Sequence, residues 1–178
     1  MRVSLRVRGG RVVDASTYVG GRWRDGAGPA TDLGTVPARQ AAAELLGLVE
    51  ARRTDAEEVI FAAALADSAV VWPVLLRIAR RAELPLEVRR QAVFWLGQAA
   101  GDAAARGLDA IAADQGDDLD VREQAVFALS DRPANEGVPA LIRIAGTNPH
   151  PELRKKALFW LGQSEDPRAL ALFEELLR

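Results

Sequence analysis

Apolar residues recur along this chain on two different periods. Near the N-terminus Val3, Leu5 and Val7 alternate with Arg2, Ser4, Arg6 and Arg8, the period of two that a half-buried strand requires. Gly9-Gly10 and the strand formers from Arg11 to Val19 complete a predicted β-hairpin. A three-residue connection, Arg8-Gly9-Gly10 with Gly10 left-handed, predicts Leu5 opposite Val13 and Val3 opposite Ala15. A two-residue Gly-Gly loop would instead set Leu5 against Asp14. Gly20-Gly21-Arg22-Trp23 predicts a short third strand, and residues 25–36, rich in Gly and Pro, read as a linker.

From Pro37 onward the period becomes helical. Ala42, Leu45, Leu46 and Val49 predict a helix running to about Arg53, with Thr35 as its cap. Beyond Asp55 the pattern copies itself. Phe94-Trp95-Leu96-Gly97-Gln98 recurs letter for letter at Phe159-Trp160-Leu161-Gly162-Gln163, and Phe127-Ala128-Leu129 lies between them. The openings Glu87-Val88-Arg89, Asp120-Val121-Arg122 and Glu152-Leu153-Arg154 keep the same step, 33 residues and then 32. A weaker copy surrounds Phe61. Self-similarity at this period predicts stacked helix pairs, over 55–87, 88–120, 121–152 and a shorter 153–178.

Within each first helix, Val88, Ala92, Leu96 and Ala99 define the core stripe. Second helices carry Leu75 and Ile78, Leu108 and Ile111, Leu141 and Ile144, and Phe173 and Leu176 at matching places. Gly97 and Gly162 sit near helix ends, where glycine costs roughly 1 kcal/mol against alanine. That predicts a closely approaching partner helix. The expected fold is mainly α: an α-solenoid with a small N-terminal β-hairpin. Its predicted parts are a basic hairpin and linker (1–34), a capping helix (35–54) and four repeats (55–178).

These residues carry a resemblance. The acid-Val/Leu-Arg openings, the Ala-x-x-x-Leu-Gly cores (Ala92 to Gly97, Ala157 to Gly162) and the Asp166-Pro167 loop resemble the HEAT repeat family. They are closest to the short bacterial HEAT-like repeats first described in phycobilin lyases. The resemblance covers about residues 55–178 and implies a right-handed α-solenoid whose second helices line the concave side. It also implies a protein-binding scaffold, since few such proteins handle pigments or modified bases. Ala56 and Ala64 depart from the motif in the first repeat.

Charge and composition narrow the chemistry. The chain has 178 residues and a net charge of −2, which argues against a general nucleic-acid or membrane surface. Six arginines and one acid in residues 1–24 leave +5 there and −7 in the remainder. That basic segment reads either as an arm for an acidic partner or as the solvated face of a hairpin packed on an acidic body. There is no cysteine, which excludes disulfides and thiol catalysis but fixes no compartment. No signal peptide or membrane-spanning run is expected, so the predicted protein is soluble. The single histidine, His150, reads as an exposed loop residue, and neither a zinc site nor a catalytic triad is credible. No enzyme activity, metal or cofactor is expected.

The candidate binding residues are aromatic and basic. Phe61, Phe94, Phe127 and Phe159 hold one position in successive repeats. Phe94 lies about 200° round the helix from Ala92, nearly opposite the core stripe. The four predict either an exposed apolar interface or rings tucked against neighbouring Arg and Gln stems. Trp95 and Trp160 read as inter-repeat core. On the second helices Arg77, Ala110, Arg143 and Glu175 are equivalent, with Trp72 nearby. The expected partner is another protein or peptide, on the concave face or on the phenylalanine ladder. A pigment-handling accessory would need an apolar pocket near Trp72, and self-association through the ladder is the third reading.

Overall fold

The computed structural model describes residues 1–20, 30–54, 57–66 and 69–177. They form two compact units, Met1–Val71 and Trp72–Arg178. The first contains strands β1 (Arg2–Arg8) and β2 (Arg11–Tyr18) and helices α1 (Ala38–Glu50) and α2 (Glu57–Ala64).

The hairpin forms, but in a different register from the expected one. Arg8 pairs with Arg11, so Gly9-Gly10 is a two-residue turn, and both glycines have positive φ (55° and 74°). Such a turn twists in the sense of the strands it joins. A bulge between Arg6 and Val7 then shifts the pairing by one residue. Leu5 therefore faces Ala15, and Arg6 faces Asp14, to which it is ion-paired at 3.4 Å. The bulge avoids the Leu5–Asp14 mismatch that a plain two-residue loop would create. Val12 and Ala15 are buried while Val13 is exposed.

The hairpin is tied to the α1–α2 connection. Val12 N donates to Arg53 O at 2.9 Å, and Arg53 Nη2 donates to Gly10 O at 3.0 Å. Arg11 donates to Arg52 O at 2.5 Å, and β2 also packs on α2. A lone hairpin is marginal in water, and these bonds supply its support. The expected third strand, Gly20-Gly21-Arg22-Trp23, lies from Gly21 onward outside the described residues. Helix α1 buries Ala42, Leu45, Leu46 and Val49 as its periodicity requires. Thr35 is not its cap: Pro37 holds that place with extended ψ, and no side chain caps the helix.

The second unit contains α3 (Trp72–Ala79), α4 (Leu86–Gln98), α5 (Asp102–Ala113), α6 (Leu119–Ser130), α7 (Val138–Thr147), α8 (Pro151–Gly162) and α9 (Pro167–Leu176), with a 3-10 turn at Pro133–Asn135. Helices α4, α6 and α8 form one layer and α3, α5, α7 and α9 the other. The most extensive contacts join α3 to α4, α5 to α6 and α7 to α8, together with α4 to α6 within the first layer. Each second helix thus packs most closely on the first helix of the next repeat. Val88, Val121 and Leu153 are buried, as are Ala92, Ala125 and Ala157 and then Leu96, Leu129 and Leu161. The same three positions fill the core each time.

The arginine of each opening has a physical role that spacing alone does not reveal. Arg89 Nε donates to Ala79 O at 2.9 Å, and Arg122 Nε donates to Ala112 O at 3.2 Å. In both cases a buried guanidinium closes a carbonyl at the end of the preceding second helix, where helical partners run out. Arg132 makes a second kind of tie. It donates to Gly97 O, Ala99 O and Gly101 O, at 3.3, 2.9 and 3.1 Å, around the end of α4.

Candidate functional site

The first-helix layer carries an aromatic surface. Three of its ring contacts join a phenylalanine to a tryptophan. Phe94 meets Trp95 edge-on at 5.2 Å between centroids. Trp160 lies 5.3 Å from Phe127 in the preceding repeat and 5.0 Å, edge-on, from Phe159 beside it. Edge-on and tilted rings at these distances attract through their quadrupoles. Trp160 half-covers Phe127 in this way. Phe159, despite its edge-on contact with Trp160, is 57% exposed.

Beside these rings is a cleft of about 300 Å³ lined by Arg90, Asp120, Glu123, Gln124, Phe127, Lys156 and Trp160. It spans α4, α6 and α8. Its lining combines two aromatic rings with side chains of both charge signs. Lys156 Nζ lies 2.7 Å from Glu123 Oε2, and Arg90 donates to Glu87 Oε1 at 3.0 Å. Asp120 is exposed at the rim. Helical spacing explains the grouping, since Glu123 and Gln124 precede Phe127 by four and three residues, as Lys156 precedes Trp160 by four.

The expected binding residues are distributed as follows. Phe94, Phe127 and Phe159 lie on α4, α6 and α8, and Phe127 enters the cleft wall. Phe61 lies half-buried on α2, in the first unit. Trp72, half-buried at the start of α3, and Arg77, exposed on the same helix, do not line the cleft. Arg143 is exposed on α7 and paired with Asp109 at 2.6 Å. These three belong to the second-helix layer. Trp160 is a correction: it reads as core, yet it is half-buried and lines the cleft, because its partner Phe127 stands at the outer side of α6. His150 is another correction, since it is half-buried at the cap of α8 and not exposed in a loop.

Sequence reasoning did not single out Arg90, Glu123, Gln124 or Lys156 as lining residues. The available signal was their i,i+3 and i,i+4 spacing to the aromatics, together with opposite signs in successive repeats.

Residues 108–178 match the family model for HEAT repeats. That stretch is similar to HEAT repeats. The matched region takes in α6 to α9 and all of the cleft except Arg90. No curated protein and no solved structure matches the chain. HEAT repeats commonly mediate protein interactions and are generally non-catalytic. Among the described residues, no helix is long and apolar enough to cross a membrane.

Proposed function

We propose that this HEAT-repeat chain is a non-catalytic scaffold that binds another protein or a peptide on its first-helix face, over Phe94, Phe127, Phe159 and the Trp160 cleft. The repeats are assigned to 55–87, 88–120, 121–152 and 153–178, preceded by the hairpin and linker (1–34) and the capping helix (35–54). The observation that carries the reading is the exposed Phe159 ring, continuous with Trp160 and a cleft whose polar walls can fix an orientation. Interfaces combine an aromatic anchor with a polar rim in the same way. The second-helix face offers less, because Arg143 is already neutralised by Asp109.

A photo-reactive benzoylphenylalanine placed at position 159, and separately at position 143, tests this. Cross-linking to a discrete protein from 159 and not from 143 is the expected result. Labelling from 143 alone, or equal labelling from both, would count against the first-helix face.

A further inference from the structure

Arg122 and His150 stand where the preceding repeat holds an ion pair. Arg89 and Arg122 occupy one repeat position and are 1% and 4% exposed. Arg89 extends its guanidinium to Asp117 and, at 2.6 Å, to Asp118, the N-cap residue of α6. The N-cap residue of α8 is His150, and Pro149 stands in place of Asp117. Among the described residues, Arg122 makes no ion pair, and Arg122 Nη2 and His150 Nδ1 are both buried without a hydrogen-bond partner.

The two residues are brought together through Ala112 O. That carbonyl accepts from Arg122 Nε and from Asn148 Nδ2, each at 3.2 Å. Asn148 Oδ1 in turn accepts from His150 N at 3.0 Å. The start of α8 adds to the same polarity. Its first residue is Pro151, no side chain caps it, and the N–H groups of Glu152 and Leu153 have no acceptor within the helix. A buried guanidinium without a counter-charge is costly, and a helix N-terminus favours negative charge.

We propose that Arg122 Nη2, His150 Nδ1 and the start of α8 bind a small free anion of halide or formate size. It is an exchangeable counter-ion in the place that Asp118 fills for Arg89. The depth of Arg122 favours a small ion over a phosphate group. Bound there, the anion ties α6 to α8 and stabilises the last two repeats by simple linkage.

Chloride NMR linewidths test the site, with His150→Asp supplying the missing carboxylate from the chain itself. Asp is a favoured N-cap residue, so the variant is expected to fold. The wild-type protein should broaden the chloride resonance, formate should reverse that broadening, and His150→Asp should abolish it. Bromide-soaked wild-type crystals should show an anomalous peak within hydrogen-bonding distance of Arg122 Nη2. Broadening that is equal in wild type and His150→Asp, or a bromide map with only water beside Arg122, would overturn the proposal.

Discussion

Gly97 and Ala128 bring α4 and α6 to the limit of close approach. A Cβ built on Gly97 would stand 2.9 Å from the Ala128 Cβ and 3.2 Å from the Ala128 carbonyl oxygen. Ala128 occupies the position held by Trp95 and Trp160 in the neighbouring repeats, so both partners are small where these two helices touch. Gly97→Ala should therefore lower stability by about 1–3 kcal/mol through overpacking, despite alanine's better helix propensity. Gly162 occupies the same repeat position, yet its nearest neighbour would be Phe173 Cζ at 3.9 Å. There the same change should be neutral or stabilising by up to about 1 kcal/mol. Urea unfolding of the two variants checks the contrast.

Arg132 is buried and serves three carbonyls around the end of α4 as well as the Glu136 carboxylate. Arg132→Leu removes every one of these bonds and leaves Glu136 without its cation. The expected loss is about 2–4 kcal/mol. Arg132→Lys should recover only part of it, because one ammonium cannot span acceptors set for a planar fork. Chemical denaturation of both variants gives the comparison.

Asp166 caps α9 and is held by Arg168, which donates from its backbone N–H at 2.9 Å and its side chain at 2.8 and 2.7 Å. The side-chain bond first, and the backbone bond next, lower the carboxyl from its ordinary 3.8 to about 2. The ionised form thus belongs to the folded state. Its contribution to stability is complete above pH 3.8 and disappears as the pH falls towards about 2. Arg168→Ala should be less stable than wild type near neutrality, and the gap should close through that acid interval. Thermal midpoints measured down the pH series check it.

The repeats were legible because a core position must recur wherever the same packing recurs. Val88, Val121 and Leu153 announced the first helices, and α1 followed from its own apolar stripe. Side-chain periodicity was a poorer guide to burial. Val93 and Val126 lie about 100° from that stripe, yet both are fully buried, because each first helix is covered by second helices and by its neighbour in the layer. The hairpin register was missed because a bulge leaves alternation intact on both sides while shifting the pairing by one. The aromatic positions were legible as a set. The cleft was not, since it depends on Trp160 reaching back over Phe127 and on Lys156 meeting Glu123 across two helices. The roles of Arg89 and Arg132 were not legible, because nothing local in sequence marks the carbonyls they close.

The most direct test of the first-helix face is peptide binding to defined variants. Peptides selected from a random display library on the wild-type protein would be titrated against Phe159→Glu and against the pair Arg77→Glu with Arg143→Glu. Phe159 is largely exposed, so its substitution should change stability by no more than about 0.5 kcal/mol. Loss of an aromatic anchor should nevertheless weaken binding by about 2 kcal/mol, or roughly thirty-fold. Binding lost in Phe159→Glu and retained in the arginine variants is the predicted result. Binding retained in Phe159→Glu and lost in the arginine variants would place the site on the second helices and contradict the assignment.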